Sequence, residues 1–141
     1  MEAGADIDKA ENDGRTPLIW ASEEGHVDVV KVLVKAGADM DKAAVKGHTP
    51  LIMASQNGHV DVVKVLAEVG ADKDKAADNG YTPLIAASVS GHVDVVKVLV
   101  EAGADIDKAE NDGATPLIMA SQNGHVDVVK VLAEVLSLIH I

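Results

Sequence analysis

The chain has no cysteine, no phenylalanine, one tryptophan and one tyrosine among 141 residues. The missing cysteines exclude disulfides, thiolate metal sites and thiol nucleophiles together. They leave compartment open, because a cysteine-free chain tolerates any redox state. With aromatic residues at 1%, a deep globular core lacks its usual ring fillers; thin layers filled by Val, Leu, Ile and Ala need none. Basic charge is also scarce. Lys and Arg number 12 against 23 Asp and Glu, a formal net charge of -11. That balance opposes phosphate backbones and anionic lipid surfaces, so no nucleic acid and no membrane is expected as a partner. No apolar run approaches the roughly 20 residues of a bilayer span. Met1 to Ala5 show no basic stretch followed by an apolar one, so no signal peptide is read there, and a cytoplasmic location is the expectation.

What the chain has instead is repetition. Thr-Pro-Leu-Ile starts at Thr16, Thr49, Thr82 and Thr115, 33 residues apart each time. Gly-His-Val-Asp-Val-Val-Lys-Val-Leu starts at Gly25, Gly58, Gly91 and Gly124, and Gly-Ala-Asp at Gly4, Gly37, Gly70 and Gly103. A fixed period in this range means one supersecondary unit copied along the chain. Stacks of such units work mostly by binding through an extended surface.

One unit is legible residue by residue. The Thr16 hydroxyl caps a helix, and Pro17 suits its first position, where a missing N–H costs nothing. The helix runs from Leu18 to about Glu24, with small Ala21 and Ser22 allowing close approach of a neighbour. Gly25 permits a tight turn. A second helix follows near Val27 to Lys35, with Val29, Val30, Val32 and Leu33 as a broad apolar face; Asp28 early and Lys31 and Lys35 late agree with the helix dipole. Gly37 ends it, and Ala38 to Lys46 reads as an extended turn. Neither helix is long enough to stand alone in water, so each unit must bury its face against the next.

A 33-residue unit with Asp13-Gly14, Thr16-Pro17-Leu18, Ala21-Ser22, Gly25-His26, a Val-rich helix and Gly37-Ala38-Asp39 resembles the ankyrin repeat. The resemblance covers about Met1 to Val135. It implies an all-α solenoid of stacked antiparallel helix pairs with projecting β-turn or hairpin loops, and a concave face made of turn tips and first helices. One departure is repeated four times: Ile19, Ile52, Ile85 and Ile118 stand where the family usually places His. The inter-repeat hydrogen bonds of that His are then absent, and added apolar burial is expected in their place.

The units are read as a partial one at residues 1–12, then 13–45, 46–78, 79–111 and 112–135, within a single domain spanning 1–141, with 136–141 atypical. Glu2 to Asn12 repeat Glu101 to Asn111 without a change, and Met1 stands where Val100 stands. A GTG codon read as a start would write Met there. Leu136 to Ile141 reverse-translates to CTG TCT CTT ATA CAC ATC, the transposon end used in sequencing-library preparation. The expectation is a fragment of a longer array with an adapter-derived tail; an apolar capping tail is the alternative. Without its stop Gly, the last helix is expected to run past Val135. Without polar caps, Val128, Val129, Leu132 and the tail are expected to be partly exposed or covered by self-association through the ends.

Candidate chemistry reduces to structure. His26, His59, His92 and His125 recur about 10 Å apart along a stack, too far for shared ligation, and read as turn histidines bonded to backbone. His140 belongs to the atypical tail. Asp28, Asp61, Asp94 and Asp127 read as helix N-terminal charges, because identical placements give identical environments rather than an acid and a base. Asp39, Asp72 and Asp105 lack the spacing of a calcium loop and suit Asx-type turns. Ser22, Ser55, Ser88 and Ser121 sit in no nucleophile elbow, and no glycine-rich phosphate loop exists. No catalytic residue, metal or cofactor is assigned, and the protein is not expected to be an enzyme.

Positions that differ between units are free of the demands of the fold and are the candidates for partner contact. At the turn tips these are Asn12, Asp13 and Arg15; Val45, Lys46 and His48; Asp78, Asn79 and Tyr81; and Asn111, Asp112 and Ala114. On the first helices they are Trp20, Glu23 and Glu24; Met53, Gln56 and Asn57; Ala86, Val89 and Ser90; and Met119, Gln122 and Asn123. The resemblance places the same positions on the concave face. Trp20 and Tyr81 are the leading anchors, since exposed aromatics tend to dominate interfaces. The reading is a noncatalytic protein-binding module whose partner is another protein, with Glu23 and Glu24 favouring a basic segment. The alternative is a spacer or scaffold segment of a longer array. Against a sharply evolved face, Thr49 to Val69 is identical to Thr115 to Val135.

Overall fold

A computed structural model describes residues 6–139. Met1, Gly4 and His140, which figure in the readings above, lie outside the described residues. Eight α-helices occur among these residues: α1 Pro17–Glu24, α2 Val27–Lys35, α3 Pro50–Gln56, α4 Val60–Glu68, α5 Pro83–Ser90, α6 Val93–Glu101, α7 Pro116–Gln122 and α8 Val126–Ile139. A 3-10 turn lies at Val45–Gly47, and no strand forms among the described residues. The expected all-α repeat solenoid is therefore what the chain adopts.

The local causes are those expected. Each first helix opens on a threonine whose hydroxyl accepts from the amide three residues on: Thr16 from Ile19 at 3.2 Å, Thr49 from Ile52 at 3.1 Å, Thr82 from Ile85 at 3.1 Å and Thr115 from Ile118 at 3.2 Å. Proline follows in every case. Asp28, Asp61, Asp94 and Asp127 occupy the first turns of the second helices, where negative charge meets the positive end of the helix dipole. The last helix passes Val135 and reaches Ile139, as the missing glycine implies.

Packing runs in two rows. Helices α1, α3, α5 and α7 pack in sequence along one row, α2, α4, α6 and α8 along the other, and each first helix packs on its own second helix. Turns of two or three residues join the members of a pair, so they are antiparallel. The interior is Leu18, Leu51 and Leu84, Ala21, Ala54, Ala87 and Ala120, and Val and Leu of the second helices. The isoleucines that replace the family's usual His are themselves core: Ile19, Ile52 and Ile85 are 0–1% exposed.

Three hydrogen-bond ladders tie each unit to the next. At the turn tips, Val45 N donates to Asp13 O at 2.9 Å, Asp78 N to Lys46 O at 2.9 Å and Asn111 N to Asn79 O at 3.1 Å. At the turn inside each pair, the imidazole Nε2–H of His59 donates to Glu23 O (2.8 Å), that of His92 to Gln56 O (3.0 Å) and that of His125 to Val89 O (2.8 Å). In the loops after the second helices, Asp8, Asp41 and Asp74 accept through Oδ1 from the amides of Asp39, Asp72 and Asp105 at 2.8–3.0 Å. Lys42, Lys75 and Lys108 reach the carbonyls of Asp8, Asp41 and Asp74 there. Asp39, Asp72 and Asp105 also close the Asx turns expected of them, accepting from Asp41, Asp74 and Asp107.

One expectation is corrected. Val128 and Leu132 are not exposed; both are 0% accessible. They correspond to Val62 and Val95 and to Leu66 and Leu99, which face the preceding unit, so α8 buries them against α6. Val129 is half-buried. The apolar surface at that end is carried instead by Ile118, Val126, Leu138 and Ile139, which are exposed. Ile118 is 43% accessible where its three counterparts are covered by a following unit.

Two comparisons test this layering. Ile85→Ala is expected to cost about 2–4 kcal/mol in urea unfolding, as for other buried Ile truncations, and Ile118→Ala less than about 1 kcal/mol. Equal costs would contradict nearest-neighbour burial. Second, a Cβ at Gly58 would lie 2.7 Å from the His92 ring, whereas one at Gly124 meets nothing within 4 Å; both residues have left-handed φ, +76° and +71°. Gly124→Ala is thus expected to cost about 1 kcal/mol for backbone strain alone, and Gly58→Ala about 1–3 kcal/mol more for the displaced imidazole.

Candidate binding groove

Turn tips and first helices enclose three hollows, one at each junction between units. The first, about 380 Å³, is walled by Asp13, Arg15, Ile19, Glu23, Ala44, Val45, Lys46, His48, Met53 and Gln56. The second, about 310 Å³, is walled by His48, Ile52, Gln56, Asn79, Tyr81, Ala86, Val89 and Ser90. The third, about 380 Å³, is walled by Tyr81, Glu110, Asp112, Gly113, Ala114, Ile118, Met119 and Gln122. His48 and Gln56 wall both the first and the second; Tyr81 walls both the second and the third. The hollows are therefore successive segments of one groove.

The structure brings many of the sequence-derived candidates together there: Asp13, Arg15, Glu23, Lys46, His48, Gln56, Asn79, Tyr81, Val89, Ser90, Asp112, Met119 and Gln122. Exposed Asn12, Trp20, Glu24, Asn57, Asp78, Asn111 and Asn123 lie outside the hollows. Three of these amides hold the stack. Asn57 Nδ2 donates to Glu23 O at 3.0 Å, Asn111 Nδ2 to Asp78 O at 2.8 Å and Asn123 Nδ2 to Val89 O at 3.3 Å. Met53 departs from the expected exposure. It is 8% accessible, because a following unit covers it, whereas Met119 in the identical last segment is half-buried.

At one end of the groove the side chains are locked together. The Arg15 guanidinium lies 4.5 Å from the centroid of the Trp20 ring. Its Nη2 donates to Glu23 Oε1 at 3.2 Å and its Nε pairs with Asp13 Oδ2 at 3.5 Å. The Trp20 indole N–H donates to the Glu11 carboxylate. A ring held on both sides loses little freedom on contact with a partner, although 37% of Trp20 remains accessible. Tyr81 is half-buried between two hollows.

Sequence reasoning missed two sets of residues. The Asp–Lys ladder of Asp8, Asp41 and Asp74 with Lys42, Lys75 and Lys108 carried a visible 33-residue period that marked it as structural. Glu110 walls the third hollow and Glu11 accepts from Trp20; both occupy a position held by Ala44 and Ala77 in the other units, a variable position just before the turn-tip residues that were singled out. Among the described residues no three His, Asp or Glu side chains are gathered as a metal ion requires. No described helix is long and apolar enough to cross a membrane.

A family model described as ankyrin repeats, in three copies, matches residues 1–77 and again 69–138. No curated protein matches the chain.

Removal of the cation over the indole provides a local check. Arg15→Ala is expected to cost about 0.5–1 kcal/mol and to move the emission of Trp20, the only tryptophan, to longer wavelength. Unchanged emission would show that the stacked pair does not persist in solution.

Proposed function

The chain belongs to the ankyrin-repeat family, and from that premise we propose that it binds a protein segment along the groove between its turn tips and first helices. Ankyrin repeats are generally protein-interaction modules without catalytic activity of their own. The observation that carries the reading is a division of labour. Side chains repeated in every unit form the core, the threonine caps and the histidine and Asp–Lys ladders, while side chains that change from unit to unit make up most of the walls of the hollows. A partner meets a surface already held in place, so little conformational entropy is lost on binding. Trp20, Arg15 and Tyr81 are the proposed anchors, of the residue types that dominate interface energetics. The excess of acidic side chains steers a basic segment toward the groove.

A spacer role is the second reading. It is favoured by the identity of Thr49 to Val69 with Thr115 to Val135, which leaves Gln56 and Gln122, in the walls of different hollows, undiverged. One experiment separates the two. The full chain is used to capture a partner, and affinity is then measured by calorimetry for the parent and for the combined Arg15→Ala, Trp20→Ala, Tyr81→Ala variant. Loss of about 100-fold or more in affinity with helicity intact is the expected result. Unchanged affinity in a folded variant contradicts groove binding.

A further inference from the structure

The two end faces of the described stack are the two halves of an interface that occurs three times inside it. On the leading face, beside α1 and α2, Val29 is 49% accessible and Pro17 and Val32 are exposed, whereas their counterparts in later units are covered wholly or in part. On the trailing face, beside α7 and α8, Ile118 and Ser121 are exposed and Val129 is half-buried, whereas Ile85, Ser88 and Val96 are buried. Exposed apolar surface of this kind marks an interaction site. Polar groups are matched as well. Each of the three ladders runs from a donor on one unit to an acceptor on the unit before it. The leading face carries the next donors in these series, the His26 imidazole and the amides of Asn12 and Asp6. The trailing face carries the next acceptors, Gln122 O, Asp112 O and Asp107 Oδ1. None of the six is paired among the described residues.

We propose that the trailing face of one copy of this chain receives the leading face of a second copy, in the register that joins its own units. Thr115 to Val135 repeats Thr49 to Val69 without a change. Helices α7 and α8 therefore offer a following unit the same side chains that α3 and α4 offer to α5 and α6. Pro17, His26, Val29, Val32 and Leu33 repeat Pro83, His92, Val95, Val98 and Leu99. Trp20 stands where Met53, Ala86 and Met119 stand, so that position takes side chains of several sizes. A place for the incoming imidazole is open. At Gly25, Gly58 and Gly91 the next unit's His ring lies 2.5–2.7 Å from a Cβ position, and at Gly124 nothing lies within 4 Å of it. Because the two faces differ, the contact leaves one of each uncovered and propagates instead of closing into a dimer. It also builds a hollow that no single copy has, with Asp112, Ile118 and Gln122 on one side and Arg15 and Trp20 of the second copy on the other. The net charge of -11 on each copy opposes the contact, so salt that screens the repulsion strengthens it.

Sedimentation velocity of the full chain over a concentration series tests this. Species larger than a dimer are expected as concentration rises, more of them at about 0.5 M than at about 0.05 M salt. Val29→Glu and Ile118→Glu each place a charge in one face at an exposed position, and circular dichroism verifies the fold. Each alone is expected to be a monomer. Mixed, they are expected to form a heterodimer and nothing larger, because the Val29→Glu copy keeps its trailing face and the Ile118→Glu copy its leading face. The milder Gly124→Ala, whose Cβ meets nothing in its own chain, is expected to weaken association about tenfold by filling the place of the incoming His26 ring. Replacing exposed Leu138 and Ile139 by Ser is expected to leave association unchanged. A parent that stays monomeric up to about 1 mM overturns the inference. So does a single-face variant that still self-associates, an inert mixture, an unaffected Gly124→Ala, or association lost on changing Leu138 and Ile139 alone.

Discussion

Each helix pair in this chain offers more apolar surface than its two helices can cover for each other, and the next pair covers the rest. Helices of 7 to 9 residues, as in α1 to α7, have no independent stability in water. Backbone groups in the turns are equally dependent. The carbonyls of Glu23, Gln56 and Val89 receive an imidazole N–H from the following unit, and the amides of Asp39, Asp72 and Asp105 find an aspartate of the preceding one. The consequence is visible wherever one neighbour is absent from the described residues: Val29 is 49% accessible, whereas its counterpart Val62 is fully covered. Stability in such a stack is a sum of units and of the interfaces between them.

The same dependence separates the residues that hold the stack from those it leaves free to vary. Turn histidines, capping threonines and the Asp–Lys ladder recur because every interface demands them. The side chains between turn tip and first helix are under no such demand, and there the chain places Arg15, His48, Tyr81 and Ala114 at one repeated position. The groove is thus a row of similar hollows with different walls, held at fixed spacing by bonds that do not vary. Rigidity and variability are supplied by separate residues, which is what lets one backbone present a distinct surface at each junction.

Much of this was legible in the sequence because the period displays every requirement four times. Helix bounds followed from Thr-Pro at one end and glycine at the other, so the second helix was expected near Val27 to Lys35 and occurs at Val27–Lys35. The turn role of His59, His92 and His125 followed from their spacing. Which side of a second helix faces which neighbour was not legible. Val128 and Val129 are adjacent and chemically identical, yet one looks back to a covered interface and the other looks forward. Helical position alone distinguishes them, through packing that periodicity does not contain. The exposure of the identical methionines Met53 and Met119 diverges for the same reason, since burial depends on the unit that follows and not on the residue.

Excision of one whole unit tests the central claim most directly. Deleting residues 79–111 joins Asp78 to Asp112 and keeps every repeated position in register. If neighbours only lean on neighbours, the shortened chain retains its helicity per residue by circular dichroism and melts cooperatively at a lower temperature. Loss of helicity, or a melt without a cooperative transition, would instead show that all the units share one indivisible core, and would contradict the account.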